Sequence, residues 1–148
     1  MSSTCSRRAF LEGLGIAGGA LALYACTGSS GSSLPSASAT MCGANLCIDL
    51  ADPGNSALTA VDGALLVDAP NDTIIVIRSS ETAIIALSGI CTHAGCSMDF
   101  VPASHLIDCP CHGSQFSEDG RVVRGPARRS LRVYTASLAT NVITITLA

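Results

Sequence analysis

Short apolar runs alternate with turn residues over the C-terminal two thirds of the chain. The runs lie at 46–50, 63–67, 73–78, 83–87, 105–109, 121–124, 131–135 and 142–147. Most are rich in Val, Ile, Leu and Thr, and Gly-, Pro-, Asn- or Asp-containing turns bound them, as is typical of strands. No segment in this region has a convincing helical periodicity. The pattern predicts an all-β domain, either an antiparallel sandwich or a small barrel.

A different pattern occupies the N-terminus. The sequence Ser-Arg-Arg-Ala-Phe-Leu, which contains Arg7 and Arg8, precedes an apolar, glycine-rich stretch at 13–25. That stretch has the length of a signal peptide and is short of the roughly 20 residues that span a bilayer. The segment resembles a bacterial twin-arginine export signal. The resemblance implies that the protein is exported after folding, which suits a cofactor that is inserted in the cytoplasm.

The end of this segment leaves three outcomes open. Leu-Tyr-Ala-Cys at 23–26 resembles a lipoprotein cleavage box with Cys26 as the lipid acceptor. The alternatives are simple cleavage nearby, for example after Ala39, and retention as an uncleaved membrane helix. The uncharged, Ser/Gly/Ala-rich residues that follow predict a flexible tether. The chain is therefore predicted to consist of a signal or anchor at 1–26, a linker at 27–41 and a folded domain at 42–148.

Composition and charge narrow the classes of function. A chain of 148 residues has room for one domain of ordinary size. The net charge of −3 excludes a broad basic face for nucleic acid. Lysine is absent, and five of the eight arginines lie at 121–132, which predicts either a solvated edge or a docking patch for an acidic redox partner. Eight cysteines point to metal ligation, disulfides or both.

Two six-residue runs contain the candidate chemistry, Cys-Thr-His-Ala-Gly-Cys at 91–96 and Cys-Pro-Cys-His-Gly-Ser at 109–114. Each offers a thiolate and an imidazole in a short loop, plus one spare cysteine. Two Cys and two His can hold either a zinc ion or a two-iron cluster whose second iron takes histidines. Each run follows a predicted strand, so rigid strands could hold the two loops face to face around one cofactor.

The spacing of these residues, Cys-x-His followed after fifteen residues by Cys-x-x-His, resembles the Rieske [2Fe-2S] family. The resemblance implies a Rieske-type antiparallel β-sandwich with two cluster-binding loops. It implies Cys91 and Cys109 as ligands of one iron and His93 and His112 as ligands of the other. It also implies a disulfide that links the loops through Cys96 and Cys111. The resulting function would be one-electron transfer.

Further positions match the family or depart from it. Ser114 stands where high-potential members have a serine that hydrogen-bonds the cluster, whereas Phe116 replaces the second donor, a tyrosine. Ala94 stands where quinol-oxidising members have a bulky apolar residue. Gly-Pro-Ala at 125–127 resembles the family's proline loop, which shields the cluster. Outside the family pattern, Cys42 and Cys47 are predicted to form a second disulfide, because free thiols would be unusual in an exported protein.

These observations favour an exported, membrane-tethered electron carrier, or the small subunit of a periplasmic redox enzyme. Its partners would be redox proteins such as a cytochrome or a quinol-oxidising membrane complex, and not nucleic acid. The alternative is the Rieske subunit of a quinol–cytochrome c oxidoreductase of the cytochrome bc type, for which quinol is the electron donor. A structural zinc site is a remote third possibility.

Overall fold

The computed structural model describes residues 32–147. In this part of the chain the backbone forms one 3₁₀ helix, η1 (Pro53–Thr59), and eleven strands. The strands are β1 (Thr40–Cys42), β2 (Asn45–Asp49), β3 (Ala64–Ala69), β4 (Asp72–Arg78), β5 (Ile84–Ser88), β6 (Asp99–Val101), β7 (Leu106–Asp108), β8 (Gln115–Ser117), β9 (Val122–Arg124), β10 (Val133–Ala139) and β11 (Val142–Thr146).

The strands form two sheets. A seven-stranded sheet has the order β1-β2-β11-β10-β5-β4-β3, and a four-stranded sheet has the order β6-β7-β8-β9. All pairings between these strands are antiparallel. The predicted all-β, antiparallel fold is therefore confirmed.

Strand β4 is buried on both faces, which accounts for its unbroken apolar run. Successive side chains of a strand point to opposite sides. Ile74 and Val76 accordingly pack into a first core, with partners such as Ile48 and Ile143 from other strands of the large sheet. Ile75 and Ile77 pack into a second core, which lies between the two sheets. The other buried residues of this core include Leu66, Leu87, Cys91, Met98, Ile107, Cys109 and Phe116. The second core therefore supports the two cysteine loops directly.

Several short elements were not predicted from the sequence. Strands β1, β6 and β8 have three residues each, and unlike the equally short β7 and β9 they have no two consecutive Val, Ile or Leu residues that would mark a strand. The helix η1 begins after Asp52, whose side chain accepts a hydrogen bond from the Gly54 N–H at 2.8 Å. Its length of seven residues is likewise short of a readable helical pattern.

The last ten residues of the predicted linker, 32–41, differ from a free tether. The Ala37 N–H donates to the Leu66 carbonyl at 2.6 Å, and the Leu66 N–H donates to the Pro35 carbonyl at 2.9 Å. The Ser32 hydroxyl donates to Asp99 at 2.6 Å. Because β3 is an edge strand, its free backbone groups can pair with this segment, and Leu34, Ala37 and Ala39 pack against the two cores. The hydrogen-bonded domain thus begins before residue 42.

The remaining N-terminal predictions lie outside the described residues. They comprise the export signal with Arg7 and Arg8, the lipid acceptor Cys26 and the first part of the linker, and they remain predictions. Within residues 32–147, no helix is long and apolar enough to cross a membrane.

A buried tyrosine links the large sheet to one carboxylate. The Tyr134 hydroxyl donates to Asp72 Oδ2 at 2.7 Å. Burial, and then the hydrogen bond and negative charge of Asp72, raise the pKa of Tyr134 to about 12. In the unfolded chain a tyrosine ionises near a pKa of about 10.

Alkaline stability should reflect this shift. The stabilisation is fully present below pH 10 and is lost as the pH rises from about 10 to about 12, because the unfolded state ionises first. The loss should be at most about 3 kcal/mol, since one pKa unit corresponds to about 1.4 kcal/mol. Urea unfolding at pH 9 to 12 checks this, with Tyr134→Phe as the comparison. An equal decline of the free energy of unfolding in both proteins would contradict the attribution of this pH dependence to Tyr134.

Candidate metal centre

The first cysteine loop, residues 91–96, follows β5 and is a compact turn. The Cys91 N–H donates to the Cys96 carbonyl at 2.8 Å, and the Gly95 N–H donates to the Cys91 carbonyl at 2.9 Å. Gly95 has a φ of +74°, which favours glycine. The turn leaves His93 exposed at its tip while Cys91 is buried.

The second cysteine loop, residues 109–114, follows β7 and repeats the same backbone geometry. The Cys109 N–H donates to the Ser114 carbonyl at 2.8 Å, and the Gly113 N–H donates to the Cys109 carbonyl at 2.9 Å. Gly113 has a φ of +73°, like the glycine of the first loop. The loop again begins with a buried cysteine and leaves its histidine, His112, exposed.

The two buried thiols lie next to each other. Cys91 is 2% exposed and Cys109 is 1% exposed, and within residues 32–147 they are the cysteines outside disulfides. Burial raises the pKa of the Cys109 thiol, and the contact with Cys91 raises it further. A thiol with a raised pKa stays protonated unless a metal replaces the proton, so Cys109 is suited to metal ligation and poorly suited to a free nucleophile.

The two imidazoles lie on the outer side of the same site. The rings of His93 and His112 have their centroids 4.8 Å apart, with an angle of 84° between the ring planes. Both side chains are exposed. The site is therefore asymmetric, with sulfur donors inside and nitrogen donors at the surface.

A disulfide joins the two loops. The Sγ atoms of Cys96 and Cys111 are 2.04 Å apart, in the pairing that the family resemblance implied. These two sulfurs and the sulfur of Cys109 lie within 4.8 Å of one another. Because disulfide sulfurs carry no thiolate, only Cys109 of these three can offer one to a metal. The predicted second disulfide is also present, between Cys42 and Cys47 in the β1–β2 hairpin.

A third loop, residues 125–131, closes against both cysteine loops. The buried Ala127 N–H donates to the Ser114 hydroxyl oxygen at 3.0 Å. The Thr92 hydroxyl donates to the Arg129 carbonyl at 2.6 Å. The bond from Thr92 was not predicted, because its acceptor is a backbone carbonyl, which every residue has. The loop contains a cis peptide bond between Gly125 and Pro126 and corresponds to the predicted proline loop.

Two clefts flank His93. The wider cleft, of about 850 Å³, extends from the first cysteine loop to Asp68, Asp72 and Ser88. The narrower one, of about 310 Å³, is lined by His93 with Thr92, Pro126, Arg128 and Arg129. A partner could therefore approach the imidazole from either side.

The donor set fits a two-iron cluster. In a Rieske centre one iron takes two thiolates and the other takes two imidazoles, so sulfur and nitrogen donors are segregated. The segregation seen here, with buried thiols and exposed imidazoles, fits that requirement. A single zinc ion would instead gather all four donors around one point.

Comparisons with known proteins agree with this arrangement. A family model described as the Rieske [2Fe-2S] domain matches residues 56–135. The iron-sulfur subunit of the cytochrome b6-f complex from Synechococcus sp. (strain JA-3-3Ab) is 44% identical over 66 residues, which are 45% of this chain and 38% of that protein. The corresponding subunit from Chlorobaculum tepidum is 32% identical over 78 residues, 53% of this chain and 43% of that protein. The chain thus matches less than half the length of these relatives.

Solved structures give the same result. The plasma membrane Rieske protein from the cyanobacterium Synechocystis PCC 6803 has 30% identity and a TM-score of 0.53, over 66% of this chain and 93% of that one. A chain of a hyperthermophilic respiratory Complex III has 26% identity and a TM-score of 0.51, over 66% and 71%. With the matched motifs and the two-sheet fold, these findings show that the chain belongs to the Rieske [2Fe-2S] domain family.

Proposed function

We propose that Cys91 and Cys109 bind one iron of the Rieske [2Fe-2S] cluster and that His93 and His112 bind the other. Family membership establishes the cluster and one-electron transfer; the assignment to these four residues is the proposal. The main support is their arrangement, since the two thiols meet in the core and the two imidazole rings lie 4.8 Å apart at the surface.

Each part of the site has a distinct role in this function. The bound cluster supplies a centre that takes up and releases one electron. The buried cysteines sit in the core between the sheets, which keeps water from the sulfur side of the site. The exposed imidazoles give a partner protein a point of close approach. Neutral imidazoles also add less negative charge than thiolates, which raises the reduction potential above that of all-cysteine clusters.

Metal and sulfide analysis tests the cofactor. The purified protein is expected to be brown, to contain iron and acid-labile sulfide, and to give an electron paramagnetic resonance signal only when reduced. A reversible one-electron redox titration should follow the same signal. Zinc in place of iron, or the lack of a reversible signal in matured protein, would contradict the proposal.

We further propose that the protein acts outside the cytoplasm as a membrane-tethered electron carrier or as a small subunit of a periplasmic redox enzyme. Two disulfides support an oxidising compartment, because cytosolic thiols are normally kept reduced. The N-terminal resemblance to an export signal, with Cys26 as lipid acceptor or an uncleaved anchor, agrees with this. Mass spectrometry of the native N-terminus distinguishes lipidation, cleavage and retention.

The second candidate is the Rieske subunit of a cytochrome bc-type complex. The names of the curated relatives favour it, since they are iron-sulfur subunits of cytochrome b6-f complexes. The small, exposed Ala94 next to His93 argues against an identical quinone-docking surface. Purification from solubilised native membranes separates the two candidates. Stoichiometric copurification with a b-type cytochrome would support the complex, whereas its absence would support the separate carrier.

Ser114 should tune the reduction potential. Its side chain is fully buried, and its oxygen accepts the Ala127 N–H, so the hydroxyl proton remains available for a cluster sulfur. Ser114→Ala should lower the potential, because the reduced cluster loses a donor. It should also cost about 1–3 kcal/mol of stability, because a buried N–H loses its acceptor. Redox titration beside the exposed control Ser130→Ala checks this, and equal potentials would contradict it.

Phe116 offers the opposite test. It is fully buried on β8, paired with Ile107 in the core behind the cluster loops, and it lacks the hydroxyl of the family's tyrosine. Phe116→Tyr should therefore raise the potential by adding a donor to the cluster. Phe100→Tyr is the matched control, since Phe100 lies in the same core on the other side of Ile107. An unchanged or lower potential for Phe116→Tyr would contradict the prediction.

A further inference from the structure

Two arginines lie beside the exposed imidazole of His93. Arg128 and Arg129 are both exposed, and together with His93 they line the narrower of the two clefts at the site. We refer to these two residues as the arginine pair. Their position was not predictable from the sequence, because 34 residues separate the first of them from His93.

The backbone that carries the arginine pair is held on both sides. On one side the Ala127 N–H binds the buried Ser114 hydroxyl oxygen at 3.0 Å. On the other side the buried Leu131 donates its N–H to the Gly120 carbonyl at 2.8 Å. Between these points the Arg129 carbonyl accepts the Thr92 hydroxyl, which ties the pair directly to the residue preceding His93. The backbone of the arginine pair is therefore held next to the loop that carries His93.

The arginine pair also keeps its charge at the surface. Within residues 32–147, only Arg121 has a carboxylate oxygen within 4.0 Å of its guanidinium group, and that oxygen belongs to Asp119. Arg78 donates to three backbone carbonyls instead, and Arg132 lies over the ring of Tyr134. Arg124, Arg128 and Arg129 are exposed, and no carboxylate oxygen within residues 32–147 lies within 4.0 Å of them. On a chain with a net charge of −3 these positive charges are a local exception, and the arginine pair is the part of it that lies beside His93.

The opposite side of His93 has a different character. The wider cleft contains Asp68, which is exposed, and Asp72, whose two carboxylate oxygens accept hydrogen bonds from Ser88 and Tyr134. Arg129 also lines this wider cleft, where it faces two carboxylates, whereas the narrower cleft is lined by both arginines and by no carboxylate. An acidic partner that is attracted by charge would therefore approach from the narrower, proline-loop side.

We propose that the arginine pair is a docking surface for an acidic redox protein that exchanges electrons at His93. This inference rests on the proposed function and adds the chemistry of the partner and the side of its approach. Arginine suits the role because its guanidinium binds carboxylates in a bidentate manner and stays charged at all working pH values. Opposite charges around an electron-transfer site accelerate encounter, and the acceleration falls with ionic strength.

Stopped-flow oxidation of the reduced protein by a c-type cytochrome of acidic net charge tests the proposal. Arg128→Gln and Arg129→Gln should each slow the second-order rate about threefold at low ionic strength, and the double variant about tenfold, within the range known for electrostatic steering. The difference should nearly vanish at about 0.5 M salt, where the Debye length is only about 4 Å. The reduction potential and the electron paramagnetic resonance spectrum should not change.

Arg121→Gln is the matched control, because it removes the same charge from an exposed, ion-paired position that precedes β9, whereas the arginine pair follows that strand. It should change the rate by less than twofold. An equal slowing by Arg121→Gln would overturn the proposal, since net charge alone would then account for the effect. Unchanged rates in the arginine-pair variants would overturn it as well.

Two further measurements distinguish an acidic protein partner from a membrane surface and from a basic partner. The first measures binding of the wild-type protein and the double variant to vesicles that contain anionic lipid. If the double variant lost this binding but kept the wild-type rate with the cytochrome, the arginine pair would be assigned to a membrane surface and the proposal would be overturned. A c-type cytochrome of basic net charge should show no slowing in the double variant. Failure of the docking proposal can be distinguished from failure of the proposed electron-transfer function. In the second case the wild-type protein would show no redox signal, which is seen before any rate is measured.

Discussion

His93→Gln and His112→Gln are each expected to abolish binding of the cluster while leaving the fold intact. Loss of an outer hydrogen-bond partner at a metal site already costs about 10–100-fold in affinity, and loss of a direct ligand should cost more. Both imidazoles are exposed and lie outside the buried cores, so their replacement removes little packing. The variants should therefore be colourless, with iron and sulfide near zero and a far-ultraviolet circular dichroism spectrum of a folded β-protein.

His105→Gln is the matched control for these variants. His105 is also an exposed histidine, but its Nδ1 lies 3.1 Å from a Glu118 carboxylate oxygen in a turn of the small sheet. Its replacement should leave the iron content and the electron paramagnetic resonance spectrum unchanged. Wild-type iron content and spectrum in either His93→Gln or His112→Gln would refute the ligand assignment for that residue.

Removal of the disulfide between the cysteine loops should have the second largest effect. In the chain-entropy model, a bridge that closes a ring of about 15 residues stabilises the folded state by about 3 kcal/mol. The bridge joins the two loops that supply all four proposed ligands. The double variant Cys96→Ser/Cys111→Ser should therefore unfold at lower urea concentration and lose its cluster absorbance faster at a fixed concentration. Replacing both cysteines avoids leaving a free thiol beside the site.

Cys42→Ser/Cys47→Ser is the corresponding control. That bridge spans five residues in the β1–β2 hairpin at the edge of the large sheet. Its removal should cost about 2 kcal/mol by the same model, and it should not change the reduction potential. The rate of loss of cluster absorbance is compared between the two double variants at urea concentrations that unfold each to the same extent. Equal rates would show that the loop bridge has no specific role in holding the cluster.

The chemistry of the site was readable from the sequence because it is encoded by residues close together in the chain. Each cysteine loop closes on itself through backbone hydrogen bonds that span four or five residues, with a glycine where φ is positive. Such turns depend on local residue types. The pairing of Cys96 with Cys111 followed from the family resemblance, whereas the bridge between Cys42 and Cys47 followed from their proximity in the sequence and the expected compartment.

The fold was predictable at the level of class and less so in detail. Runs with several β-branched residues identified the longer strands, but the buried run of β4 could not show that its two faces belong to two different cores. Of the three-residue strands, β7 and β9 lie in predicted runs, whereas β1, β6 and β8 were missed because none of them has two consecutive Val, Ile or Leu residues. The segment at 32–41 was read as a tether because it has few apolar residues, yet it pairs through its backbone with the edge of β3.

Residue patterns along the chain identified the family, the cofactor and the all-β class, because motif spacing and short apolar runs between turns are properties of neighbouring residues. The surface around the site became evident only in the folded molecule. The bond from Thr92 to the Arg129 carbonyl, and with it the placement of the arginine pair beside His93, joins segments that are distant in the chain. A backbone carbonyl has no residue-type signature, so such a contact appears only once the two sheets have packed together.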